Sequence, residues 1–181
     1  MRRLAHRPPP FPLQVTVASR HPPAIPLSST GLQQVKHTCA DVRDRAAVQD
    51  AVQIGADAVN LVGLLYETPR KGISFEGVQT EGPLNIVEAV AANRGGRVVH
   101  ISAIGAKDGG KGYSGSKGKG EKYILDRGKE LGSWTAVLRP SIVWGPGDSF
   151  LIGSSPWHSL LPGCHLLVAE GRDTNPCLLK M

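Results

Sequence analysis

Between residues 14 and 138 short apolar or alternating runs give way, again and again, to stretches with helical spacing. Gln14-Val15-Thr16-Val17-Ala18-Ser19 alternates and is β-branched, which predicts a strand. A Pro/Ser loop over His21 to Ser29 separates it from a second strand over Gln34 to Ala40. Asp44 to Gln53 reads as a short helix with Ala47, Val48, Ala51 and Val52 on one face. Ala58 to Gly63 reads as a buried strand running into a glycine. Ser74 to Ala92 is a helix, with Pro83 as a mid-helix blemish that removes a backbone donor. Arg97 to Ser102 is the next strand. Tyr113 to Leu131 is a helix despite Gly115, Gly118, Gly120 and Gly128, each costing about 1 kcal/mol relative to alanine. Trp134 to Leu138 is a last strand, stopped near Pro140. Strands alternating with helices, and nearly continuous apolar runs in the later strands, predict a parallel sheet with helices on both faces.

The ends differ from this middle. Met1 to Leu13 is basic and proline-rich, and predicts an irregular segment. Residues 14–150 carry the repeating α/β pattern. Residues 151–181 hold turn-like clusters such as Ser154-Ser155-Pro156-Trp157 and no long helix.

Bulk composition changes the picture little. A chain of 181 residues, 40% hydrophobic and 20% charged, suits one domain with its own core. Cys39, Cys164 and Cys177 form neither a metal spacing nor an even disulfide set, so no metal site is expected. No apolar run reaches membrane-spanning length. The net charge of +6 is front-loaded: Arg2, Arg3, Arg7, Arg20 and Lys36 all precede the first acid, Asp41. An Arg-rich, acid-poor start fits a mitochondrial targeting segment, and equally a domain without its usual beginning; Pro8, Pro9, Pro10 and Pro12 oppose a long targeting helix. Scattered basic residues with few aromatics argue against nucleic-acid binding.

The chemistry centres on Tyr113 and Lys117. Residues four apart share a helix face, and a nearby ammonium favours a phenolate, bringing tyrosine towards acid/base work. Ser102 closes the preceding strand, where a hydroxyl can donate to a substrate oxygen whose charge changes. Such a set suits hydride transfer between a nicotinamide and an alcohol or carbonyl.

The runs His100-Ile101-Ser102-Ala103-Ile104-Gly105-Ala106, Tyr113-Ser114-Gly115-Ser116-Lys117-Gly118-Lys119-Gly120-Glu121-Lys122 and Leu138-Arg139-Pro140-Ser141-Ile142-Val143-Trp144-Gly145-Pro146-Gly147-Asp148 carry a resemblance. From about Val15 to Phe150 the chain resembles the extended and atypical short-chain dehydrogenase/reductases, of the NAD-dependent epimerase/dehydratase type. The nearest branch includes the dehydrogenase-like accessory subunit of respiratory complex I and its bacterial relatives. The resemblance implies a Rossmann-like fold binding NADP, with NAD as the alternative. It places Ser19 and Arg20 at the adenosine ribose, Arg20 favouring a 2′-phosphate; Asp41 and Val42 at adenine; Asn60, Leu61, Val62 and Gly63 in a loop beside the cofactor; Tyr113 and Lys117 over the nicotinamide ring, the lysine able to donate to a ribose; and Pro140 and Ile142 near the nicotinamide. The competing reading of Asp41 is a helix cap.

The chain also departs from the pattern. Nothing before Val15 supplies the first strand and its glycine-rich phosphate turn, and Arg2-Arg3-Leu4-Ala5-His6 resembles the helix that follows that turn. The missing strand is the central one of the sheet, so its neighbours are expected to lack a bridge. Beyond Ser102 the chain has Ala103 and Ile104 where relatives often carry the hydroxyl, and residues 151–181 match no family segment. Three functional readings follow: a nucleotide-binding accessory subunit or relative of complex I, on the matrix side of the mitochondrial inner membrane if eukaryotic; an active NADP-dependent reductase or epimerase, mitochondrial or cytoplasmic; or an inactive truncated product. The expected partners are a nicotinamide dinucleotide and other subunits of a respiratory complex.

Overall fold

The computed structural model describes residues 14–22 and 34–141. In chain order its elements are β1 (Gln14–Ser19), β2 (Gln34–Cys39), α1 (Arg45–Ala51), β3 (Ala58–Asn60), α2 (Gly82–Ala92), β4 (Arg97–Ile101), α3 (Gly112–Glu130) and β5 (Trp134–Leu138). The irregular segment expected over residues 1–13 and the tail over 151–181 lie outside the described residues, as does Ile142. By contacts the chain divides into two compact units, Met1–Arg139 and Pro140–Met181. All the named elements belong to the first.

Two boundaries differ from the sequence expectation, each for a visible reason. The third strand ends at Asn60 rather than Gly63 because the Asn60 side-chain oxygen accepts the N–H of Val62, 3.0 Å away, which turns the chain out of the sheet. The long helix over 74–92 is divided. Glu76–Glu81 is π-helical and α2 begins at Gly82, which puts Pro83 in the first α-turn, where its missing donor is tolerated. The wide turn thus resolves the proline blemish without breaking the helix axis.

Asp44 caps α1: one carboxylate oxygen accepts the N–H groups of Ala46 and Ala47 at 3.0 and 3.1 Å. That leaves Asp41, three residues earlier, free for another role.

All pairings are parallel. β1 pairs with β2, and β3–β4–β5 form a separate three-stranded sheet. The break falls between the β1–β2 pair and β3, where the sequence reading lacks a central strand. Register aligns Ala58, Val98 and Thr135 in one row and Asn60, His100 and Val137 in another on the same side. On that side Val98 joins Val48, Ile86, Val87, Ala89, Val90 and Ile124 in one core, with Ala58 and Val137 packed against it. On the other side, Val59 is 63% exposed, so among the described residues this face is poorly covered.

The glycines of α3 are contact points, not flaws. A Cβ on Gly120 would overlap the carbonyl oxygen of Gln79, and one on Gly118 would overlap the backbone of Lys107 and Asp108. Helix α3 therefore lies against the π-helical segment and the loop after β4 at a separation no larger residue permits. Replacing Gly120 by alanine is expected to cost about 1–3 kcal/mol by overpacking, measured as a lower urea midpoint. Gly96→Ala, where a Cβ meets nothing within 4 Å, is the control and should leave the midpoint nearly unchanged.

Candidate functional site

Helix α3 enters from a glycine-rich loop and carries Tyr113 in its first turn and Lys117 one turn later. The close packing through its glycines sinks Lys117 to 4% exposure. Its ammonium donates to the carbonyl of Ile101, the last residue of β4, at 3.2 Å. Gly63, just beyond β3, leaves room on the other side: a Cβ there would lie 3.0 Å from Lys117 Nζ. The lysine thus stands at the carboxyl ends of β3 and β4, where ligands of open parallel sheets bind. Burial pushes its pKa down, and Glu121, one further turn along and itself buried, partly opposes the shift.

Ser102 follows β4 directly. Its N–H donates to Leu138 O at 2.8 Å, and its buried hydroxyl has no hydrogen-bond partner among the described residues. Tyr113 is half-buried and packs edge-on against Phe75, with ring centroids 6.1 Å apart and planes at 77°. The structure therefore brings Ser102, Lys117, Gly63 and Asn60 to one place at the strand ends, with Tyr113 on the same helix. Leu61 and Val62 lie in the Asn60–Gly63 loop and are exposed at 60% and 36%.

Beneath the lysine is a polar node that sequence reasoning missed. Asn60 Oδ1 takes the Val62 N–H, so its amide nitrogen donates to His100 Nδ1 at 3.0 Å. The ring proton of a neutral His100 then sits on Nε2, by assignment from this network, and that atom has no partner among the described residues. His100 is fully buried; burial first, and the nearby Lys117 charge second, hold its pKa down at about 4. Gln79 donates to Ser116 Oγ at 3.3 Å and leaves its own oxygen unpaired. Glu121 is gripped by Arg139 through both carboxylate oxygens, with Nε contacts of 2.8 and 3.1 Å, which ties α3 to the end of β5. The available signal was the four-residue step: Tyr113, Lys117 and Glu121 recur on one helix face.

The other proposed nucleotide residues cluster at the ends of β1 and β2. Ser19 closes β1, its hydroxyl buried without a partner among the described residues, and Arg20 is exposed beside it. Asp41 and Val42 follow β2. Asp41 is held by Arg43, with Nε at 3.0 and 3.1 Å and Nη2 at 2.6 Å; this hydrogen bonding, against some burial, keeps the carboxyl at about 2. Val42 packs against the hydrophobic core. Pro140 follows β5 at the start of the second unit.

A hollow of about 530 Å³ opens elsewhere, among Phe75, Glu76, Lys119, Lys122 and Tyr123, and none of Ser102, Tyr113 and Lys117 lines it. Its lysines are already paired, Lys119 with Glu76 and Lys122 with Asp108. The residues expected to carry chemistry lie at the strand ends instead.

In fold the chain is similar to solved dehydrogenase structures. A mutated uronate dehydrogenase superposes with a TM-score of 0.57 at 19% identity, over 70% of this chain and 49% of that one. The serine dehydrogenase of Escherichia coli gives 0.52 at 15%, over 71% of each. In sequence the chain is a relative of complex I subunits. It is 28% identical over 132 residues to the mitochondrial NADH-ubiquinone oxidoreductase 40 kDa subunit of Neurospora crassa, covering 72% of this chain and 32% of that protein. It is 32% identical over 113 residues to the mouse (Mus musculus) mitochondrial NADH dehydrogenase (ubiquinone) 1 alpha subcomplex subunit 9, covering 61% and 28%. A 3beta-hydroxysteroid-dehydrogenase/decarboxylase isoform 2 of Arabidopsis thaliana is 27% identical over 139 residues, covering 67% and 24%. The chain spans about a quarter to a third of the length of these relatives. No family model matches it. The likeness to short-chain dehydrogenase/reductases, on the complex I side of that group, is borne out.

His100 gives the site a pH signature. The unfolded chain protonates this histidine near 6.5, while the folded chain resists until about 4. The stabilisation is therefore whole at neutral pH and drains away as pH falls through that window. Urea unfolding at pH ~7 and ~4.5 should show wild-type stability falling by about 2 kcal/mol, with a clearly smaller fall in His100→Gln. Equal losses in both proteins would remove His100 as the cause.

Proposed function

We propose that the chain binds a nicotinamide dinucleotide, NADP in preference to NAD, as part of a protein akin to the complex I accessory subunits. The observation that carries this reading is Lys117: a buried ammonium at the strand ends with one acceptor among the described residues, beside a glycine that admits backbone closely and a serine hydroxyl without a partner among the same residues. An ammonium has three donors. One goes to Ile101, and the others suit the hydroxyls of a ribose.

The donor set fits such a group. Lys117 would hold the nicotinamide ribose, Ser102 would donate to an oxygen near the reacting carbon, and the Asn60–Gly63 loop would lie along the cofactor. Arg20 and Asp41 would receive the adenosine end. The dinucleotide supplies hydride chemistry when bound. The chain's own part is to orient it and, at the Tyr113 hydroxyl, to give or take a proton under the influence of the Lys117 charge.

Two of the relatives described above are mitochondrial by name and belong to NADH:ubiquinone oxidoreductases. Those names support a mitochondrial location for the whole protein if its source is eukaryotic; the matrix side of the inner membrane, with other subunits of a respiratory complex as partners, is our proposal. No helix among the described residues is long and apolar enough to cross a membrane. Turnover by Tyr113 is the second reading, favoured by its place one turn from a buried lysine.

Fluorescence titration of the purified chain with NADPH and NADH tests the proposal. Saturable binding is expected, at least tenfold weaker in Lys117→Met and within about threefold of wild type in Tyr113→Phe, which keeps the ring. Circular dichroism confirms that each variant folds. Binding indifferent to Lys117→Met, or no binding of either nucleotide, overturns the reading.

A further inference from the structure

The ends of β1 and β2 lie side by side. Ser19 pairs with Cys39, and the N–H of Ala40 donates to Ser19 O at 3.1 Å. Arg20 and Asp41 therefore emerge next to each other, close enough for the Arg20 charge to help hold the Asp41 carboxyl low. Such a pair poses a conflict. An exposed carboxylate beside a ribose repels a 2′-phosphate, while a free arginine attracts one.

Arg43 stands over this conflict. Its Nε lies 3.0 and 3.1 Å from the two Asp41 oxygens, its Nη2 2.6 Å from the second, and its backbone N–H donates to the first at 3.0 Å. Its remaining nitrogen donates to Gly72 O at 2.6 Å, which anchors the guanidinium from the far side. Asp41 is left neutralised but still bears lone pairs that can accept from an adenine amino group. A guanidinium fixed at both edges cannot swing away as a lone surface arginine does.

We propose that Arg43 is a specificity-determining residue at the adenosine end: by neutralising Asp41 it leaves Arg20 to set the preference for a 2′-phosphorylated nucleotide. The inference rests on the proposed nucleotide binding and deepens it. It assigns Arg43 a positioning and screening role, with no contact to the phosphate itself.

The test uses the full chain and two small probes that reach the adenosine end alone, adenosine 2′,5′-bisphosphate and adenosine 5′-monophosphate, measured by calorimetry. Wild type is expected to prefer the bisphosphate. Arg43→Ala should cut that preference about tenfold, as an unscreened carboxylate comes into play. Arg43→Ala with Asp41→Asn should restore it to within about threefold, since the repelling charge is gone. Asp41→Asn alone, which does not depend on Arg43→Ala folding, should raise the preference severalfold by freeing a second cation. An unmoved ratio in Arg43→Ala, a loss that persists in the double variant, or no preference in wild type overturns the proposal. The dinucleotide titration with Lys117→Met judges nucleotide binding separately, because it reports on the other end of the site.

Discussion

A buried ammonium needs oxygen on several sides, and in this chain that need organises the ends of the strands. Lys117 can sit at 4% exposure because Ile101 turns a carbonyl towards it and Glu121 lies one turn behind it on the same helix. Its depth depends in turn on glycines. Side chains at Gly118 and Gly120 would lift α3 away from the loop after β4 and from the π-helical segment, and a larger residue at Gly63 would meet the amine itself. The features that looked weakest for a helix are therefore those that let its buried lysine reach the sheet. Removing any one would leave a charged group neither in water nor among its acceptors, an expensive state in a low-dielectric interior.

The node beneath Lys117 follows from the same constraint. Asn60 ends β3 by taking the Val62 N–H, and the same side chain reaches across to His100 on β4. One residue thus sets where the strand stops, how the following loop turns and which nitrogen of the histidine carries the proton. A histidine placed next to a buried ammonium is kept neutral by both burial and repulsion. That arrangement keeps a second positive charge away from the lysine, which would otherwise compete for the same few oxygens.

Much of this was legible in the residues, and the illegible part has a physical cause. Periodicity located all five strands and the helices, because apolar alternation and helical spacing are local properties. The pair Tyr113 and Lys117 was visible for the same reason. The end of β3 was not, because the turn is made by a side chain whose partner lies two residues ahead in an apolar run. The π-helix was read as a damaged α-helix, since Pro83 shows only that a donor is missing and not that the chain widens to absorb the loss. The glycines were charged with their propensity cost, because close approach between distant segments leaves no mark in a single window. The node of His100 and Gln79 was not read, because it is made by contacts with Asn60 and Ser116, which are near only in space.

Two polar clusters, one at β1–β2 and one at β3–β4, belong to separate sheets, yet each is held by its own local bonds. Arg43 and Asp41 are two residues apart and anchored on Gly72; Lys117, Ile101 and Asn60 are fixed by one helix and two adjacent strands. Among the described residues, neither cluster draws a hydrogen bond from a strand between the sheets. The shape of each half-site is therefore a property of the described residues, and what a bridging strand contributes to a dinucleotide fold is the spacing between halves. A dinucleotide spans both ends, so its affinity depends on that spacing, whereas a mononucleotide fragment senses one end alone. The two kinds of ligand thus separate local chemistry from long-range register.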